Sequence, residues 1–446
     1  MRIDQGFLED ILEYAKKASG ARVEVFALNS RTLNVEVRSQ EVENIDVSES
    51  TGYAIRVIKN NRLGFAYSTD LSNYKDVVDQ AITTSDMTTE DPFNDISVKE
   101  TIPEVEIYDK EIAVIDRNTA IDLVLEIESS AIAFDKRIKK VRKAGGSFTE
   151  SELYILNSNG VNHHFQATSC TAHITLAAED NGDAQMGWGY EGSRRLQDID
   201  FKRIGLEAAQ RAINLLGARK AETRKTFVLL DSSVASEFLS VLSASFSADN
   251  VQKGKSLLIG KKGQKVVSEK INIKDNALLP YHLGTRPLDA EGTPSRENIL
   301  VESGILREYL YNIYTARKDS TQSTGNATRA GIFTPPSVGA SNLYIEASSD
   351  EYKHSFDGLL KLMPHGIVVT EAMGVHTANP ITGEFSFGIT GLWVENGEIK
   401  YPVKEAAISG TMLEFFSRIA GIGDEIRFYG KIGSPHLLVE DVDISG

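Results

Sequence analysis

From residue 5 to 17 the apolar residues Phe7, Leu8, Ile11, Leu12 and Ala15 fall at helical spacing, and Gly20 closes the run, so an amphipathic helix is expected there. The period then changes from helical to two. Residues 22–28, 32–39 and 42–47 alternate as strands of a meander, and Asn60-Asn61 turns 54–58 back onto 63–68. Residues 71–85 return to helix, with Leu71, Val77, Val78 and Ala81 on one side, and 88–104, which carries Asp91-Pro92 and Pro103, reads as a linking loop. The same grammar follows again: a helix over 116–134, strands over 138–143 and 147–156, a turn at 157–160, more ladder over 161–178, and a helix over 201–216. Helix, strands, helix occurring twice suggests an internal structural duplication near 1–100 and 101–221.

The charged segment 220–224 follows a helix and precedes a strand, and it places a domain boundary between 1–221 and 222–446. Beyond it, 227–230 is a strand, and Asp231 or Ser232 caps a helix running to about residue 246. Short strands with Gly, Asn and Pro turns follow, including a hairpin at Asn396-Gly397, a late helix over 411–420 and a last strand over 437–442 within a sheet. The expected class is α+β: an N-terminal mixed domain with a duplicated unit and a mostly antiparallel β domain after it.

The stretch 292–329 concentrates candidate binding chemistry. Ile299-Leu300-Val301 reads as a strand, Glu302-Ser303-Gly304 as a tight turn, and 305–314 as the return strand carrying Leu306, Tyr309, Leu310, Tyr311 and Tyr314. Arg317 and Lys318 then lead into Ser323-Thr324-Gly325-Asn326. The two cations suit a carboxylate, the hydroxyls and Asn326 suit a peptide backbone, and Gly325 permits close approach. Tyr314 would line the groove. The competing reading of these residues is a surface loop between strands.

Composition narrows the classes. The chain has 446 residues, 41% of them hydrophobic and 25% charged, which is ordinary for a globular protein of two or three domains. A net charge of −15 argues against direct nucleic-acid binding. The absence of a long apolar run argues against a membrane span, and a single cysteine, Cys170, suits a reducing cytoplasm. None of the eight histidines forms a His-x-x-x-His or His-Glu-x-x-His pair, and no Gly-x-Ser-x-Gly elbow occurs. Gly260-Lys261-Lys262-Gly263 reads as a basic hairpin turn, since it lacks the ending of a phosphate loop.

The order of hairpin, Tyr314-Thr315-Ala316-Arg317-Lys318 and Ser323-Thr324-Gly325-Asn326 resembles the TldD/PmbA family, also called TldE or modulator of DNA gyrase proteins. Residues 52–70 and 383–403 resemble that family's N-terminal hairpin and C-terminal strand pair, so the resemblance spans nearly the whole chain. It implies a zinc-dependent cytoplasmic peptidase system acting on unfolded peptides, in which a zinc-bearing TldD subunit pairs with a PmbA/TldE subunit lacking the metal site. In TldD-type members the helix corresponding to 232–246 carries His-Glu-x-x-x-His. Counting back without gaps from Lys253-Gly254-Lys255-Ser256 puts Leu239 and Ala244 at the histidines and Ser240 at the glutamate. The late cysteine ligand has no counterpart either. The resemblance therefore implies a PmbA/TldE-like dimer subunit with no catalytic residue, metal or cofactor of its own. The alternatives are an independent hydrolase with an unrecognised site and a non-catalytic peptide-binding homodimer.

Overall fold

The computed structural model describes residues 3–446 and has an α+β architecture. The first half of the chain builds one antiparallel sheet from β1 (Arg22–Arg38), β2 (Glu41–Lys59), β3 (Arg62–Ser68), β4 (Ile138–Asn157), β5 (Asn162–Asp180) and β6 (Asp183–Ser193), in the order β3-β2-β1-β4-β5-β6. Helices Gln5–Ser19 and Tyr74–Met87 flank the first meander, and helices Arg117–Phe134 and Phe201–Asn214 flank the second. The two meanders join where β1 pairs with β4, with Phe26 opposite Ile155 and Val35 opposite Gly146.

All four helices cover one face of this sheet. Leu8, Ile11 and Val78 bury against Val25, Ile55 and Leu156, and Ile127, Ile204 and Ala208 bury against Val35, Ile174 and Leu176. Helix Phe201–Asn214 rests its backbone on β6 because Gly187 and Gly189 face it. A Cβ on either would meet the carbonyl oxygen of Ala208 at 2.0 Å or of Ile204 at 2.2 Å. The strand period turns the alternate residues Phe26, Ala54, Arg56 and Ile155 to the other face, which looks toward the second half of the chain.

The strands run longer than the hydrophobic pattern predicts. Segments 22–28 and 32–39 are one strand, as are 138–143 and 147–156. β1 lies between β2 and β4, so hydrogen-bonded partners on both sides carry it through polar residues. Asn29 illustrates this: it pairs in register with Glu152, and its amide group bonds both the N–H and the carbonyl of Ile3, at 3.3 and 3.0 Å. Asn60 and Asn61 do form the expected turn, both with positive φ.

In the second half an eight-stranded sheet and a second six-stranded sheet enclose the apolar side of helix Ser232–Ser243. Phe238 packs against the rings of Phe385, Phe387 and Phe415 at 5.3, 5.2 and 5.0 Å. Two expectations change here. The return strand predicted over 305–314 stops after Ile305–Leu306: Leu310 donates its N–H to the Phe246 carbonyl at 2.8 Å instead, and Asn312 with Thr315 forms a reciprocal capping box that starts helix Ile313–Lys318. The late helix predicted over 411–420 covers only Met412–Ser417. Ile419–Gly423 is instead a strand paired with Leu437–Ser445.

The two halves meet through buried charge. Arg56 on β2 pairs with Glu24 on β1 at 2.6 Å and reaches across to Glu291 at 2.7 Å, while Arg329 closes on the other oxygen of Glu24. Removing one partner of a buried pair leaves an uncompensated charge. Arg56→Ala should therefore lower unfolding stability by about 3–5 kcal/mol in urea melts, against roughly 0–1 kcal/mol for Lys59→Ala at the exposed pair with Asp86.

Candidate functional site

The residues singled out around 314–326 sit against the rest of the fold. Tyr314 donates its hydroxyl to Asp91 at 2.8 Å, and Lys318 lies 5.3 Å from the centre of the Tyr314 ring. Arg317 pairs with Asp95 and donates to the Pro92 carbonyl at 3.1 Å, both in the linking loop 88–104. Ser323 donates to the Tyr311 carbonyl at 3.2 Å, and Thr324 accepts the Tyr311 N–H at 2.7 Å. Gly325 has φ +73°, and a Cβ there would lie 2.6 Å from the Pro294 carbonyl oxygen. Asn326 donates to Asp275 at 2.6 Å. Thr324 and Asn326 are wholly buried. Of this set, Tyr314 faces a cleft of about 490 Å³, shared with Asp91, Lys253, Asn312 and Pro335.

A larger cleft lies elsewhere on the seam between the halves. Helix Ser232–Ser243 is capped by Asp231, which accepts the Ser233 N–H at 3.0 Å. Val234, Phe238, Leu239 and Leu242 bury one side of it in the core. The other side carries Ser233, Ser236, Glu237 and Ser240, spaced to share one face. These four line a cleft of about 570 Å³ whose far wall is His173 and Thr175 from β5 with Trp188 and Tyr190 from β6, closed by Tyr429.

The electrostatics of this cleft centre on the Glu237 carboxyl, with Glu371 close enough to act on it. Burial among its walls, then the charge of Glu371, push the Glu237 carboxyl up to about 7, against the pull of Arg211. Burial also raises Glu371. Arg211 stacks on the Trp188 ring at 4.0 Å and reaches Asp231 at 3.4 Å. A carboxyl that exchanges its proton near neutral pH, hydroxyl groups and aromatic walls can hold a polar chain and recognise its charge. Two hydroxyls of the stripe are already engaged, since Ser236 donates to the Ser232 carbonyl at 2.8 Å and Ser233 to Asp231 at 2.5 Å.

The donor set does not fit a catalytic metal. Leu239 is in the core, Ser240 faces the cleft, and Ala244 begins the turn after the helix. Among the described residues no group of three or more His, Cys, Asp or Glu is placed to hold a metal ion. Cys170 lies beneath the helices of the first half, where burial pushes its thiol up. His365 bonds Thr226 at 2.6 Å, and His164 stacks on Tyr154.

The serine and glutamate stripe was readable in the sequence as polar residues at helical spacing in an otherwise apolar helix. Trp188, Arg211 and Glu371 give no local signal. Sheet pairing brings Trp188 to the cleft wall, and the packing of two other elements brings Arg211 onto Trp188 and Glu371 near Glu237.

Comparison with known proteins agrees along the whole chain. Residues 223–446 match the PmbA/TldA metallopeptidase C-terminal domain, 110–216 the central domain and 23–85 domain 1. The chain is 31% identical to a metalloprotease PmbA homolog of Buchnera aphidicola, across 96% of this chain and 94% of that one. It is 30% identical to metalloprotease PmbA of Escherichia coli O157:H7, across 96% and 93%. A crystal structure of a Thermotoga maritima protein named for modulation of a DNA gyrase superposes with TM-score 0.91 at 28% identity, covering 99% of both chains. TldE of Thermococcus kodakarensis shares the fold, with TM-score 0.90 at 22% identity over 99% and 100%.

Two outcomes follow from the geometry. The ordinary carboxyl value of 4.5 applies to Glu237 in the unfolded chain, and about 7 in the folded one. Below 4.5 both states hold the proton. Between the two values the unfolded chain releases it first, so stability falls as pH rises, and the loss is complete above about 7. Glu237→Gln should flatten this decline and raise the melting temperature at pH 8 relative to the parent, as read by melts across pH 4.5–8. Arg317→Ala should cost no more than about 1 kcal/mol in urea melts, because its ion pair with Asp95 is solvent-exposed.

Proposed function

Because the chain belongs to the PmbA/TldA metallopeptidase family, we propose that it acts as the PmbA/TldE-like subunit of a cytoplasmic TldD/TldE-type peptidase system. It carries no zinc of its own. A zinc-bearing TldD-type partner supplies the hydrolytic centre, and this chain completes the channel that holds unfolded peptides. The observation that carries the reading is the helix Ser232–Ser243. Its apolar face commits Leu239, one of the two positions where the family's peptidase branch carries histidine, to the core, and its open face offers serines and Glu237.

The cleft supports a peptide-holding role. Arg427–Tyr429 is the edge strand of the second six-stranded sheet and brings Tyr429 to the cleft wall, so an extended peptide can add alongside it by backbone hydrogen bonds. Glu237 then favours cationic side chains, most strongly above about pH 7 when it is ionised. A net charge of −15 gives no support to direct binding of nucleic acid. No helix among the described residues is long and apolar enough to cross a membrane.

The test is reconstitution. The purified chain should retain far less than one zinc per molecule after mild chelation and should leave unfolded casein intact. Adding a TldD-type partner should produce cleavage that a chelator abolishes, and the two chains should co-elute as a dimer. Retention of about one zinc per chain would overturn the reading, since a catalytic zinc site needs three protein ligands. So would cleavage by this chain alone that tracks its concentration through purification.

A further inference from the structure

Along the same seam, the open face of the first sheet and loop 285–290 leave a separate cavity of about 180 Å³. Its walls are apolar, formed by Phe26, Leu153, Ile155, Phe165 and Leu288. Arg194, Arg286, Arg329 and Asp289 supply its charged lining, and Arg329 is already paired with Glu24.

Neither Arg194 nor Arg286 is paired with a carboxylate. Arg194 donates to three carbonyl oxygens, those of Thr168 at 3.0 Å, His282 at 3.1 Å and Leu283 at 2.9 Å. Arg286 makes one long hydrogen bond, to the Gly325 carbonyl at 3.3 Å, and its Nε is buried with no partner. Lys431 lies close enough for both arginines to act on it: burial and then their charges lower its pKa. Burial and then Arg286 pull Arg194 down to about 10.

The nearby acids are already engaged. Asp275 accepts from Asn326 at 2.6 Å and from the Ser341 hydroxyl at 2.9 Å. Asp289 accepts the N–H groups of Glu291, Thr293 and Ala327, and burial with the charge of Glu291 pushes its carboxyl up to about 7. Two buried guanidinium groups, with no carboxylate at ion-pair distance among the described residues, thus line the cavity with Lys431 close by, in a chain whose net charge is −15. Like charges held together out of bulk water raise the energy of the empty site and strengthen its attraction for an anion.

We propose that this cavity binds a carboxylate carried on a single apolar side chain, as at the free C-terminus of a peptide. The carboxylate meets Arg286 and Arg194, and the side chain fills the apolar pocket. Inorganic phosphate would satisfy the cations but leave the apolar walls unused. The assignment requires neither a partner chain nor a metal, so it stands or falls separately from the peptidase reading.

The experiment is calorimetric titration of the full chain, alone and at low salt, with N-acetyl-L-leucine, N-acetyl-L-leucinamide and inorganic phosphate. The acid should bind at least about tenfold more tightly than the amide, since one charge-assisted hydrogen-bond set separates them. Phosphate should bind more weakly than the acid. Arg286→Gln should remove that preference for the acid. Ser151→Leu, which fills the cavity from β4, should weaken the acid without deleting a charge, and melting curves on both variants check that they fold. Equal binding of acid and amide, no heat from the acid at millimolar concentration, phosphate as tight as the acid, or unchanged affinity in both folded variants would each overturn the proposal. The comparison of the three probes on the parent chain decides it even if a variant fails to fold.

Discussion

Arg56 holds this molecule together at the point where its two halves face each other. It is buried between Glu24, two strands' width from the sheet edge, and Glu291, which lies 235 residues further along the chain. Arg329 shares Glu24, and the Ile313 N–H takes the second oxygen of Glu291 at 2.9 Å. Burying these ions carries a large desolvation cost that their mutual attraction only offsets when every partner is present. Its main consequence is therefore positional. The open face of the six-stranded sheet can approach the loops of the second half in one register only, because any slip would strand a charge in a dry place. That register sets the seam, and the seam holds both clefts.

The seam is electrically polarised. One cleft presents Glu237, with Glu371 acting on it and an arginine stacked on its Trp188 wall, and the other cavity presents Arg194 and Arg286 beside Asp289, whose oxygens accept backbone N–H groups. Side chains from β5 wall both, joined by β6 at the first and by β1 and β4 at the second. A rigid sheet facing a rigid second half places these groups without relying on loop order, and a surface with acids toward one end and cations at another can read the direction of a bound peptide as well as its charge. This links the proposed peptide-holding role to the cavity proposed for a free carboxylate.

Helix Ser232–Ser243 shows how a shared scaffold can carry different chemistry. The backbone, the Asp231 cap and the Phe238 ring cluster fix where the helix lies, and none of these depends on what its open face carries. Of the three positions where the resemblance places metal-site side chains, Leu239 is committed to the core, Ala244 follows the helix and Ser240 faces the cleft, so the open face of this chain carries hydroxyls and a carboxyl.

Much of the architecture was legible locally. The helix over 117–134, the Asn60-Asn61 and Asn396-Gly397 turns and the cap at Asp231 follow from spacing and turn chemistry that involve residues close in sequence. The α+β class and the order helix, strands, helix followed from the same patterns. Long-range pairing decided the rest. It carried β1 and β4 through polar and glycine residues that read as breaks, because strands bonded on both sides need no apolar alternation to persist. It also buried Thr324 and Asn326, whose donors look available in the sequence but are used on Tyr311 and Asp275. Hydrophobic period is a property of neighbouring residues, whereas the partner of a buried charge or donor lies wherever the fold brings it. The sequence by itself therefore determined the elements and the family, and only the tertiary structure decided which polar groups remain free to meet a ligand.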